Sequence, residues 1–103
     1  MTDPQPVLSA LADPTRREIF ERLTAEGPAS ASQLASELPV TRQAIAKHLN
    51  LLDSVGLATR SREGREVVYS AHPARLAEVT DWLATVGSEW DARLERLRDS
   101  FRG

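Results

Sequence analysis

Thr41, Arg42, Gln43 and Lys47 stand within seven consecutive positions and bring together a hydroxyl, a guanidinium, a carboxamide and an ammonium. A guanidinium can hold both acceptors on the edge of guanine, and a carboxamide can hold the donor and acceptor on the edge of adenine. A hydroxyl and an ammonium near the start of a helix suit phosphate oxygens instead, the first helped by the helix dipole. Arg42 and Gln43 are therefore candidate base readers, and Thr41 and Lys47 candidate phosphate contacts. His48 follows directly and can either reach the same backbone or pack against the turn before it. A second set, Arg60, Arg62 and Arg65, suits a flanking phosphate backbone or a narrow minor groove.

Nothing comparable can be assembled for catalysis. The chain has no paired carboxylates beside a histidine, no glycine-rich phosphate loop and no nucleophile with an adjacent base. Cysteine is absent, which excludes disulfides, thiolate metal sites and cysteine nucleophiles. His48 and His72 are the two histidines, and carboxylates such as Glu78, Asp81 and Glu89 read as a solvated helix face. Neither a cofactor nor a metal is expected.

The charge is unevenly spread. Residues 40–75 hold Arg42, Lys47, Arg60, Arg62, Arg65 and Arg75 against Asp53, Glu63 and Glu66, a local net of +3 in a chain of net −2, which leaves −5 for the rest. A basic middle between acidic ends offers one face to phosphates and keeps the others off them. A chain of 103 residues fits one domain spanning 1–103. No apolar run of eighteen residues exists, and Met1-Thr2-Asp3-Pro4 lacks the basic start and apolar stretch of a signal peptide. A cytoplasmic protein with no membrane contact is expected.

The elements that must position these groups can be read from periodicity and caps. Residues 1–6 read as a flexible tail, and Val7, Leu8 and Leu11 as one or two turns of amphipathic helix. Asp13 and Pro14 start a second helix that buries Ile19, Phe20 and Leu23 and stops at Gly27-Pro28. Arg16 and Arg17 sit where the dipole disfavours cations, so an external anion or an acidic neighbour is expected for them. Ser30 and Gln33 have the form of a capping box, opening a short helix with Leu34 and Leu38 inside. Thr41 caps a fourth helix whose Ile45, Leu49 and Leu52 share one face, while Arg42, Gln43, Ala46, Lys47 and Asn50 lie toward the other. A helix-turn-helix results.

After Leu57 the period becomes two, with a reversal at Glu63-Gly64, so a two-stranded hairpin is expected, with Val67 and Tyr69 packed on the helices. The fold class is mainly α with a β-hairpin wing, in the order α-α-α-α-β-β-α. The last helix, 73–101, carries Leu76, Val79, Leu83, Val86, Trp90, Leu94, Leu97 and Phe101 at steps of three or four, with Trp82 broadening the stripe. One small domain cannot cover so long a stripe. Val86, Trp90, Leu94 and Leu97 are therefore expected to meet a second copy, together with Val7, Leu8 and Leu11 in 7–12.

This order of elements resembles the ArsR-type winged-helix repressors of bacteria and archaea, over nearly the whole chain. The likeness is carried by Ala10-Leu11-Ala12-Asp13-Pro14-Thr15-Arg16-Arg17, by residues 40–57 with His48-Leu49 and Val55-Gly56-Leu57, and by Glu63-Gly64-Arg65-Glu66-Val67-Val68-Tyr69. The resemblance implies a homodimer held by the first and last helices, double-stranded DNA as the partner, repression of a promoter and often release by an inducer. Ser30 and Ser32 stand at the positions that match a cysteine pair in the thiolate sensors of the family, and serine does not replace a thiolate for soft metals. Ala46 stands where many relatives have serine. Two other readings share the fold: a sensor whose small-molecule inducer sits near Trp82 and Trp90, and a protein-interaction module without DNA contact, against which Arg42, Gln43 and Lys47 argue.

Overall fold

The computed structural model describes residues 3–72 and 74–101. The elements are α1 (Gln5–Ala12), α2 (Pro14–Glu26), β1 (Ala29–Ser30), α3 (Ala31–Glu37), α4 (Arg42–Ser54), β2 (Ala58–Glu63), β3 (Glu66–Ala71) and α5 (Ala74–Phe101). The mainly α architecture with a hairpin wing is present, but the sheet has a third strand, in the order β1-β3-β2. Ala29 pairs with Tyr69 and Ser30 with Val68, which fastens the start of α3 to the wing. The tail is also shorter than expected: α1 begins at Gln5, whose amide donates to Asp3 Oδ1 at 2.9 Å. Residues 1 and 2 of that tail, and Pro73 of the last helix, lie outside the described residues.

Local chemistry sets the boundaries. Asp13 ends α1 and caps α2, its Oδ1 accepting the Arg16 amide at 3.0 Å, with Pro14 in the first turn where a missing N–H costs nothing. Gly27 ends α2 at φ 93° and ψ −175°, a region open to glycine alone. Ser30 and Gln33 form the reciprocal box, with Ser30 Oγ accepting the Gln33 amide at 3.1 Å and Gln33 Oε1 accepting the Ser30 amide at 3.0 Å. Thr41 Oγ1 accepts the Ala44 amide at 3.2 Å and opens α4.

The cap at Asp13 has a pH signature. The hydrogen bond from the Arg16 amide holds its carboxyl below the usual carboxylate range, against the opposing effect of burial, with His48 and Arg16 adding smaller favourable charge interactions. A native pKa below the unfolded one means that the unfolded chain binds more protons in acid. The stabilisation is whole above the unfolded value of about 4 and is lost as pH falls through the native value. Asp13→Asn, which keeps a good N-cap, is expected to melt like the parent at neutral pH and to lose less stability on acidification below about pH 4. Melting curves that stay parallel across that window would contradict this.

The core gathers Ile19, Phe20 and Leu23 of α2, Leu34 of α3, Ile45, Leu49 and Leu52 of α4, Leu57, Tyr69 of β3 and Val79 of α5. Val7, expected on a dimer surface, is fully buried in this core, because α1 lies against α2 and the first turns of α5; Leu8 and Leu11 sit half-buried at its margin. Arg22 bridges α2 and α3. Its Nε and Nη2 donate to the two carboxylate oxygens of Glu37 at 2.7 and 3.1 Å, and Nη1 donates to Gly27 O at 3.0 Å. Beyond Val79, α5 leaves this body: 28 residues make a rod of about 42 Å, and the molecule measures 69 × 29 × 20 Å.

Candidate nucleic-acid interface

The candidate groups depend on how tightly α3 turns into α4. The Leu38 amide closes α3 on Leu34 O at 2.9 Å, and the Val40 amide donates to Leu38 O at 2.8 Å, so three residues reverse the chain before Thr41 caps α4. Burial of Ile45, Leu49 and Leu52 then fixes the rotation of α4 about its axis. Arg42, Gln43, Lys47 and Asn50 are left exposed. Thr41 is exposed as well; its oxygen serves Ala44 and its hydroxyl hydrogen stays available to an acceptor.

The wing stands beside this helix. Arg60 pairs with Tyr69 and Arg62 with Val67, so alternation puts all four on one face of the hairpin. Glu63 pairs with Glu66, which moves the reversal one residue on from the expected Glu63-Gly64 to Gly64-Arg65. Gly64 supplies the positive φ of 64° at the first central position, as a type II′ turn requires. Val67 shares a face with Tyr69 as expected, yet is 40% exposed, because the hairpin projects past the helices that cover Tyr69.

Between helix and wing lies an open groove of about 360 Å³, walled by Arg42, Ala46 and Asn50 on one side and Arg60, Arg65 and Tyr69 on the other. Ser30 and Ser32 close it at the α3 end, and Glu66 adds one carboxylate. Tyr69 reaches across the groove, its hydroxyl donating to Asn50 Oδ1 at 3.0 Å. Periodicity alone puts Asn50 on the polar face of the helix. The available signal was the tyrosine itself, whose hydroxyl needs a partner once the ring is buried.

His48 is turned away from the outward rows. Its Nδ1 lies 3.4 Å from Arg16 Nη1. Arg16 Nε donates to Ala10 O at 2.6 Å, and Arg17 Nη1 to Leu11 O at 3.1 Å. The two arginines thus take the last carbonyls of α1, the negative end of that helix, and Arg16 also has the Asp13 carboxylate as an acidic neighbour. Among the described residues, no group of three or more histidine, aspartate or glutamate side chains is placed to hold a metal ion. No helix among them is long and apolar enough to cross a membrane.

A tight helix-turn-helix with a cationic second helix, flanked by an arginine-bearing hairpin, defines a winged helix-turn-helix DNA-binding module. A helix-turn-helix domain family matches residues 11–61. The chain is 43% identical over 74 residues to the HTH-type transcriptional regulator Rv2034 of Mycobacterium tuberculosis, covering 72% of this chain and 68% of that protein. It is 30% identical over 77 residues to the transcriptional repressor SdpR of Bacillus subtilis, covering 75% of this chain and 84% of the repressor. A solved ArsR-like transcriptional regulator from Rhodococcus sp. RHA1 superposes with a TM-score of 0.80 at 45% identity, over 92% of this chain and 89% of that one. The chain belongs to the ArsR-like family of winged helix-turn-helix transcriptional regulators, and it is a DNA-binding regulator.

Proposed function

We propose that the protein is a homodimeric repressor, built as one unit and working in the cytoplasm on chromosomal DNA. The observation that carries the dimer is the apolar stripe of α5. Leu83, Trp90, Leu94 and Leu97 are each more than half exposed, on the same face as Val79, which is buried. A stripe of this length on a soluble chain needs a cover, and a second α5 offers a matching one. Val86, with Leu8 and Leu11 at the margin of α1, extends the surface; Val7, buried in its own chain, does not belong to it. Two-fold symmetry would set the recognition helices about 34 Å apart, one turn of duplex, and so select an imperfect palindrome.

In this reading α4 enters the major groove, with Gln43 on adenine and Arg42 on guanine, Thr41 and Lys47 on phosphates, and Arg60, Arg62 and Arg65 on the flanking backbone. His48, engaged by Arg16, steadies the helix against α2 and makes no DNA contact. The similarity to SdpR, named a repressor, supports repression as the direction of control. An inducer, if one acts, would be read at α5 by Trp82 and Trp90, which are 42% and 55% exposed there.

Selection of bound duplexes from a random pool tests the proposal. Enrichment of a two-fold symmetric site supports it; no enrichment by a folded dimer would overturn it. On the selected site, Gln43→Ala is expected to cost roughly 1–3 kcal/mol and relax preference at one base. Lys47→Ala should instead weaken all sequences alike and reduce the salt slope by about one. Equal salt slopes for Lys47→Ala and the parent would contradict the phosphate assignment.

A further inference from the structure

We propose that Asn50 and Tyr69 are positioning residues that set the distance between the recognition helix and the wing, and that Asn50 does not read bases. The inference rests on the assignment of α4 and the wing as the DNA surface. An asparagine that reads adenine must aim its oxygen and its amide nitrogen together at one base edge. Here Oδ1 accepts the Tyr69 hydroxyl at 3.0 Å, so turning the whole amide edge onto a base would cost that bond.

The bond sits where leverage is greatest. Tyr69 is 6% exposed, while Val67, the next residue on the same face of β3, is 40% exposed, so Tyr69 is where the wing leaves the cover of the helices. Arg60 is the cross-strand partner of Tyr69, and Arg60 and Arg65 line the groove opposite Arg42. A small tilt at Tyr69 therefore moves the arginines of the wing relative to the base readers of α4. The hydroxyl joins the two halves of the surface and touches no DNA itself.

The test measures affinity for the selected operator duplex, base preference and hydroxyl-radical protection of the flanking backbone, for Tyr69→Phe, Asn50→Ala, the double variant, Arg60→Ala and Tyr69→Phe with Arg60→Ala. Tyr69→Phe keeps the ring and its packing, and Asn50 is exposed, so both variants are expected to keep the parent's circular dichroism. Each should lose about threefold to tenfold in affinity, the range of one hydrogen bond, equally for all sequences. The double variant should lose no more than either, flanking protection should weaken, and the Tyr69→Phe loss should shrink when Arg60 is already alanine. Relaxed preference at one base in Asn50→Ala, with Tyr69→Phe binding like the parent, would overturn the proposal and make Asn50 a reader. Full additivity of Tyr69→Phe with Asn50→Ala would overturn it too. If Arg60→Ala and Lys47→Ala both bind like the parent, the DNA surface itself is misassigned and the proposal falls with it, a result distinct from the other two.

Discussion

Glutamate at both Trp90 and Leu97 is expected to turn the protein into a folded monomer that binds its operator about 10²- to 10⁴-fold more weakly, the range lost when two linked contacts become one. Trp90 and Leu97 are each 55% exposed and lie beyond the part of α5 that packs on the core, so the substitution removes little from the chain's own fold. The Arg93 guanidinium, 5.2 Å from the centre of the Trp90 ring, makes a contact local to the helix. What goes is the surface offered to the second copy. Sedimentation at several concentrations checks the mass, and titration of the selected duplex checks the affinity. A parent that is already monomeric, or a variant that stays dimeric, would defeat the proposed interface. Retained amide protection from α1 to β3 in hydrogen exchange, with loss confined to the end of α5, would show why the partner matters: an isolated helix of a few turns is marginal in water.

The other large effect is expected at Leu49. It lies on the same helix as Gln43 and Lys47 and is fully buried among Ile45, Leu52 and the side chains of α2. Leu49→Ala should cost about 2–5 kcal/mol, a substantial share of the roughly 5–15 kcal/mol typical of a domain. The melting temperature should fall by roughly 10 °C or more. DNA binding should be lost together with the helical signal at that lower temperature, in contrast to Lys47→Ala, where binding weakens and the melt is unmoved. A variant that melts like the parent would mean that the site collapses around the smaller side chain far better than a packed core allows.

What could be read from the sequence follows the range of the interactions involved. The Ser30–Gln33 box, the Asp13 cap and the Thr41 cap act over three residues, and each was visible as a pair of letters. Strand β1 was not. Two residues have no period, and their partners Val68 and Tyr69 arrive only after α3, α4 and β2 have been laid down. Val7 shows the same limit in another form: amphipathic spacing says that a side chain wants cover, not whether its own chain or a second one supplies it. For Val67, alternation gave the correct face, while the length of the helical layer under the hairpin, which decides exposure, is not a property of the strand. Arg16 and Arg17 look out of place against the dipole of their own helix. Their partners are the carbonyls of the helix before, brought close by the tight Asp13-Pro14 junction. Of the candidate DNA contacts, the groove gathers Arg42, Arg60 and Arg65, whereas His48 is held at α2 by a contact no local pattern encodes.

In the order β1-β3-β2, the central strand is β3, and β2 presents an unpaired edge of N–H and C=O groups to solvent. Such an edge is a template for strand addition by any passing chain, and natural sheets guard it with charge. Arg60 and Arg62 stand on that strand, where their charge would disfavour the addition of a second strand in the free protein. Alanine at both positions is therefore expected to leave the free protein prone to aggregate on storage, which light scattering against the parent would check.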